Sequence, residues 1–523
     1  MKRLKLCAAA ALALFLAACG TEAGQPQTAY VDILLADGGI QVNGQPVDTN
    51  RTAAVFAAND IVYYQAGQDF TYGEGTAEEA HEPQAAVEHT VVHISQPGTY
   101  RLSGSLSKGQ IAVDLGEEAK SDPDAVVTLV LNGVDITCDV APAVIFYNVY
   151  ECSASDGETA SAEVDTSAAG ARVIVADGTE NTVNGSHVAR IYKPGSVVLN
   201  AAGTAVEDAK KLHKYDGAFY SKMSMTVDGQ QAGTGLLTVN ADNEGLGSEM
   251  HLTVNGGNIC IHSGNDGINT NEDGVSVTTV NGGTLRIRVT GETGEGDGID
   301  SNGWLVINGG TVIAQACADS ADAGIDADLG ILIRGGTVLA TGHMLDPLGE
   351  GGQNYAVFSF AEEQTGGQML CLKAEQGSTV AELWADNRYS TLVYSDPALV
   401  PGDYTLWNGE TQLAGQRDTG TGRPGMPGGF APADLPEGAA PPAGGRPFDG
   451  QQPPQMPDGQ QPPQMPEGQQ PPQMPGGQQP PTGFAPGGPG RENGRWEDSG
   501  EARSAVFSVT PGGNLFRNIA PAQ

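Results

Sequence analysis

The chain has 523 residues, with 26 Lys and Arg against 63 Asp and Glu, for a net charge of −37. A surface this negative repels phosphate backbones, which excludes nucleic acid as a partner and admits anionic glycans only where a divalent cation bridges the two. Glycine is abundant (74 residues) and aromatic residues are sparse, which argues against a large helical core and for many tight turns.

The chain opens with Lys2, Arg3 and Lys5, followed by an apolar run from Leu6 to Ala18. That run is too short to span a bilayer as a helix but suits the core of a secretory signal. It ends in Leu16-Ala17-Ala18-Cys19-Gly20, which has the form of a bacterial lipobox, so Cys19 is the expected lipidation site. The body is then expected outside the cytoplasm, held to the cell membrane and cell surface by the lipid anchor alone. Five cysteines follow: Cys138, Cys152, Cys260, Cys317 and Cys371. They are odd in number, widely spaced and never arranged as CxxC, so neither a disulfide framework nor a zinc site is expected.

Short alternating runs begin at Val126-Val-Thr-Leu-Val-Leu-Asn-Gly133 and continue at Arg172-Val-Ile-Val-Ala176, Ser196-Val-Val-Leu199 and Leu236-Leu-Thr-Val-Asn240. A clear repeat then sets in: Leu252-Thr-Val-Asn-Gly-Gly257, Thr279-Val-Asn-Gly-Gly283, Leu305-Val-Ile-Asn-Gly-Gly310 and Ile331-Leu-Ile-Arg-Gly-Gly336. Its first glycines are separated by 26, 27 and 26 residues, and a second alternating run follows each pair. Between these corners lie Asp266-Gly-Ile-Asn269, Asp297-Gly-Ile-Asp300 and Ala323-Gly-Ile-Asp326, with a degenerate Glu244-Gly-Leu-Gly247 ahead of them. The apolar residue stands 10 positions before the next Gly-Gly in three of these and 14 at Ile268, so that repeat carries a four-residue insertion. Three short strands per turn with loops of unequal length predict an all-β fold, a right-handed parallel β-helix, and exclude a leucine-rich repeat or a propeller. Less regular runs at Tyr355-Ala-Val-Phe-Ser-Phe360, Met369-Leu-Cys-Leu372 and Tyr404-Thr-Leu406 read as further rungs.

From Thr419 to Gly490 the composition turns Pro, Gly and Gln-rich, with Gly450-Gln-Gln-Pro-Pro-Gln-Met-Pro-Asp458 recurring at a period of nine. Such sequence is expected to be disordered, a spacer inserted before a last strand around Ser504-Ala-Val-Phe-Ser-Val509. The expected divisions are 1–19, the lipoprotein signal; 20–28, a linker; 29–418, the coil with an N-terminal cap; 419–490, the insertion; and 491–523, a linker and terminal strand.

His93-Ile-Ser-Gln-Pro-Gly-Thr-Tyr-Arg-Leu-Ser-Gly104, Gly109-Gln-Ile-Ala-Val-Asp114 and Leu129-Val-Leu-Asn-Gly-Val-Asp-Ile136, with the Asp266-Gly-Ile and Asp297-Gly-Ile repeats and Gly402-Asp-Tyr-Thr-Leu406, resemble the carbohydrate-binding parallel β-helix proteins of bacterial cell surfaces. The resemblance spans roughly residues 85–410 and the terminal strand. It implies a pectate-lyase-like fold without demonstrated lyase activity, and binding of calcium and of plant cell-wall polysaccharide such as cellulose or pectin. The proline-rich insertion departs from that pattern.

The residues themselves also point to a cation. If Ile268, Ile299 and Ile325 face inward, alternation by two turns Asn269, Asp300 and Asp326 outward in one column and Asn271, Asn302 and Asp328 in the next. Repeats about 4.8 Å apart stack like charges, which is unfavourable unless compensated. Calcium, a hard cation taking six to eight oxygens, is the natural compensator. The expected ligand set is Asp266, Asn269, Asn271, Asp273, Asp297, Asp300, Asn302, Asp326 and Asp328. Asn269-Thr-Asn-Glu-Asp273-Gly274 imitates the start of an EF-hand, but Val280 stands where the closing glutamate belongs. Between Val239 and Glu350 there are 16 acidic residues, 3 arginines and no lysine. Arg286, Arg288 and Arg334 are poor general bases.

The expectation is therefore a calcium-dependent, monomeric polysaccharide-binding lipoprotein that is not an enzyme. The alternatives are a calcium-dependent pectate-lyase-like enzyme and a surface adhesin or assembly protein without a glycan ligand. Trp304, Trp384, Trp407 and Tyr389 fit sugar stacking and core packing equally well.

Overall fold

The computed structural model describes residues 30–153, 157, 159–418 and 502–522, so Cys19 and the proline-rich segment 419–490 lie outside the described residues. The regular structure of the described chain is almost entirely β-strand. Its central part forms three parallel ladders, visited in rotation. The first stacks Val144–Asn148, Gly217–Ser221, Glu244–Ser248, Ile268–Thr270 and Ile299–Ser301, and ends in a bridge from Ile299 to Ile325. The second stacks Ala171–Val175, Met225–Gly229, Leu252–Val254, Val277–Val280, Trp304–Ile307 and Gly330–Ile333. The third stacks Glu180–Gly185, Leu236–Ala241, Asn258–Ser263, Thr284–Val289, Thr311–Gln315 and Thr337–Gly342. Val127–Cys138 is long enough to pair in both the second and the third ladder.

The repeat explains this stacking residue by residue. Ile268, Ile299 and Ile325 are buried, and so are Val254, Val280, Ile307 and Ile333 of the second ladder and Ile261, Ile287 and Ala314 of the third. One core cluster contains all of these. At the corners the second glycine has a positive φ: 86° at Gly257, 79° at Gly283, 82° at Gly310 and 85° at Gly336. The asparagine before each pair adds a rail of its own. Asn281 Nδ2 donates to Asn255 Oδ1 at 2.8 Å, and Asn308 Nδ2 to Asn281 Oδ1 at 2.9 Å. In the fourth repeat Arg334 takes the asparagine's place and pairs instead with Glu163.

The runs from Tyr355 onward are not further parallel rungs. Tyr355–Gln364, Gln368–Ala374, Thr379–Ala385, Tyr389–Ser395, Gly402–Asn408 and Thr411–Arg417 pair mainly antiparallel. Phe507–Val509 joins the edge of Gly402–Asn408, and Gly513–Pro521 lies parallel to Tyr355–Gln364 and antiparallel to Thr411–Arg417. The physical reason is connection length. Parallel neighbours need a crossover of a dozen or more residues, whereas the turns at 375–378 and 409–410 are only long enough for hairpins. This module has its own core, in which Phe358 stacks on Phe516 at 5.6 Å and both meet Phe507 edge-on. No disulfide forms among the five described cysteines, of which Cys138 and Cys317 are buried.

A charged clamp fixes the N-terminal segment to the ladders. His187 Nε2 meets Glu79 Oε1 at 2.9 Å, and its Nδ1 lies 3.5 Å from Asp242 Oδ1. Burial disfavours the imidazolium, but hydrogen bonds to Asp242 and Glu79 outweigh it and lift the pKa to about 10, while His187 draws Glu79 down to about 2. Because His187 is raised in the folded chain, its stabilisation is complete below about pH 6.5 and fades as pH climbs through about 10. Glu79 contributes above its ordinary range and loses its effect as pH falls through about 2. His187→Ala should therefore loosen residues 62–82 by about 1.5–3 kcal/mol at neutral pH, read as faster amide exchange there, and the difference from wild type should vanish above pH 10. Equal exchange at pH 7 would contradict it.

Candidate functional site

The first ladder carries the acids. Leu246, Ile268, Ile299 and Ile325 stand in register. Two positions before them come Glu244, Asp266, Asp297 and Ala323; one position after come Gly247, Asn269, Asp300 and Asp326. The glycine of each Asp-Gly-Ile is there because the next repeat leaves no room. A Cβ on Gly298 would lie 2.4 Å from Gly324 O, and one on Gly267 would lie 2.6 Å from Gly298 O.

Each acid before that glycine reaches to the repeat above it. Asp266 Oδ1 accepts the Asp297 backbone N–H at 2.7 Å, and Asp297 Oδ1 accepts the Ala323 N–H at 2.6 Å. Carboxylate oxygens of Asp297, Asp300 and Asp326 converge within 4.8 Å of one another. Two unit charges about 4 Å apart repel by about 4 kcal/mol at an effective dielectric of 20. Three ionised carboxylates this close need a counter-charge.

The line continues inward. Asn269 Nδ2 donates to Glu244 Oε1 at 3.0 Å and lies 3.4 Å from Asp266 Oδ2. Glu244, Asp266 and Asn269 are only 5 %, 8 % and 8 % exposed. Glu244 Oε2 and Asn269 Oδ1 are buried acceptors without a hydrogen-bond partner. Burial, then the neighbouring carboxylates, hold all three inner acids well above the ordinary carboxylate range: Asp266 through Asp300, Asp297 through Asp266 and Asp326, and Glu244 through Asp216 and Asp266. A hard divalent cation fits this donor set, since it replaces shared protons as the counter-charge and takes only oxygen ligands.

The remaining expected ligands lie apart from the three-carboxylate group. Asn302 Nδ2 donates to the Asn271 carbonyl at 3.0 Å and to Asp273 Oδ1 at 2.9 Å, which ties the four-residue insertion to the next repeat. Asp273 and Asp328 are exposed beside that loop. Sequence reasoning passed over Glu244, although its place two before Leu246 is that of Asp266 and Asp297. It also passed over Asp322, whose Oδ2 accepts the Gly296 N–H at 2.6 Å.

The basic candidates lie off the first ladder. Arg286 and Arg288 stand on the third ladder, where Arg288 Nε donates to Asn387 Oδ1 at 2.9 Å, and Arg334 is held by Glu163. His251 is buried, its Nδ1 accepts the Val277 N–H at 3.0 Å, and burial lowers its pKa to about 4, so it is a neutral core residue.

Residues 88–345, which include every acid of the site, match a family described as "Carbohydrate-binding domain-containing protein". A protein of Acetivibrio thermocellus with the same description is 30 % identical over 177 residues, 34 % of this chain and 46 % of that protein, so the chain spans less than half of that relative. A solved structure of "the polysaccharide lyase-like protein from C. thermocellum", a gadolinium derivative, is 18 % identical, covers 58 % of this chain and 91 % of its own, and gives a TM-score of 0.29.

Proposed function

We propose that this chain is a calcium-dependent carbohydrate-binding protein of the cell surface that holds polysaccharide of the plant cell-wall type, cellulose or pectin, without cleaving it. The single observation that carries the reading is the convergence of Asp297, Asp300 and Asp326 inside the stretch that matches a carbohydrate-binding family. In this reading the three parallel ladders close into a right-handed β-helix with three short strands per turn. Cys19 carries the lipid that anchors it to the membrane.

Asp297, Asp300 and Asp326, with Asp266 and Asn269 behind them, would hold calcium, which when bound supplies positive charge and open coordination positions for uronate or hydroxyl oxygens. The chain's own residues set the rest. Asp297 is fixed by the Ala323 N–H and Asp266 by the Asp297 N–H, so the carboxylates are oriented before any ligand arrives. The acidic surface around them then favours a polyuronate only through the cation, and a neutral glycan through hydroxyl donors. The engagement of Arg288 and Arg334 outside the acid cluster favours binding over lyase chemistry, which needs a base beside the substrate.

Co-sedimentation with insoluble cellulose and with calcium-pectate gel tests the reading. Wild-type protein in 1 mM calcium should pellet with at least one of them, and chelator should return most of the pectate-bound fraction to solution. Failure to pellet with either polysaccharide in calcium would overturn it.

A further inference from the structure

The antiparallel module presents a face that its own packing does not explain. Along Gln368–Ala374, Leu370 and Leu372 point into the core with Leu383, Leu406 and Leu413. The alternate residues point the other way. Met369 stands opposite Trp384, Cys371 opposite both Glu382 and Trp407, Lys373 opposite Thr405, and Trp407 opposite Gln412. Trp384 is 42 % exposed and Met369 37 %.

Both indoles are held in place by neighbours on their own segments. Trp384 Nε1 donates to Asp386 Oδ1 at 3.2 Å and Trp407 Nε1 to Thr405 Oγ1 at 2.9 Å, while Lys373 Nζ sits 4.6 Å from the centre of the Trp407 ring. Two strand spacings and a two-residue offset put their backbones roughly 12 Å apart. Apolar rings alternate here with Glu382, Lys373 and Gln412 rather than merging into one greasy patch, which suits a ligand with an apolar face and a hydroxyl rim better than a protein interface.

We infer that this sheet face is a second carbohydrate-binding site, a stacking platform on which a neutral polysaccharide chain lays its sugar faces over Trp384 and Trp407. The inference rests on the carbohydrate-binding reading above but concerns a different module, beyond residue 345 where the family match ends. Charge selects a neutral occupant. Glu382, Asp386 and Asp403 are exposed around the platform, so an acidic glycan would meet repulsion, whereas hydroxyls can donate to these carboxylates. The converging three-carboxylate group lies on the parallel ladders, so binding here is independent of calcium.

Affinity electrophoresis of the full chain through gels containing a soluble neutral β-glucan, with chelator present, tests the inference. The wild type should be retarded; Trp384→Ala and Trp407→Ala should each weaken retardation at least tenfold; and Trp384→Phe should keep most of it. Matching melting temperatures for Trp384→Ala and wild type separate lost stacking from lost folding. An unretarded wild type, or unaltered retardation of both alanine variants, overturns the platform. Calcium-dependent pectate binding that survives in Trp384→Ala keeps the acidic-site reading standing even then, and failure of the wild type to pellet with either cellulose or pectate in calcium removes that reading by itself.

Discussion

Calcium should raise the melting temperature of the parallel ladders, and replacing Asp297 and Asp300 together by asparagine should reverse the order of stability between variant and wild type. The argument runs from the raised acids. A carboxyl whose folded pKa lies above its unfolded value stabilises the fold most below the ordinary carboxylate range and loses that contribution as pH rises through the folded pKa. Asp266, Asp297 and Glu244 are all raised, so in chelator the wild type should lose stability steadily from pH 5 to pH 8. Calcium at about a hundred times its dissociation constant adds about 2.7 kcal/mol, or about 5 °C for a domain this large. It should also flatten the pH dependence, while acid weakens its binding because protons compete for the same oxygens. The amide in Asp297→Asn still accepts the Ala323 N–H, so the double variant loses repulsion without losing that bond. It should melt above the wild type in chelator and below it in calcium. A variant that melts lower under both conditions would show that the acids are only structural.

The second large effect is expected at a corner. Gly283 has a φ of 79°, and a Cβ there would stand 2.5 Å from Gly257 O and 2.7 Å from Gly256 C, both backbone atoms of the repeat beneath. Gly283→Ala would combine left-handed strain with a clash that only opening the ladder relieves, and should cost about 3 kcal/mol or more. Gly274 is the control. Its φ is 70° but nothing lies within 4 Å of its Cβ position, so Gly274→Ala carries strain alone, about 1 kcal/mol. Chemical denaturation of the two variants should therefore separate them by about 2 kcal/mol. Equal midpoints would mean that the Gly-Gly corners mark turn conformation and not close stacking.

These corners are also why so much of the centre was legible in the sequence. A glycine pair recurring every 26 or 27 residues, flanked by alternating apolar runs, reports a backbone contact between repeats, and the structure stacks Leu252, Thr278, Leu305 and Ile331 in that order. The inward isoleucines follow from the same period. The C-terminal module was misread because alternation by two looks the same in parallel and antiparallel strands; only the short turns at 375–378 and 409–410 carried the difference. The candidate site was legible as a cluster but not as a ligand set. Counting outward from Ile299 predicts Asp300 and Asp326, and the expected ligand set also includes Asp297. Asp297 precedes the strand, across Gly298, where strict alternation no longer holds, and so it joins the other two. Glu244 was hidden because its repeat lacks an acid one position after Leu246.

Calorimetric titration of calcium into the wild type and Asp297→Asn/Asp300→Asn at pH 7 tests the central claim most directly. The account predicts saturable binding to the wild type below millimolar calcium and a loss of at least a hundredfold in affinity in the double variant, with the fold intact by circular dichroism. No saturable binding to the wild type at millimolar calcium, or equal affinity in the two proteins, would contradict it.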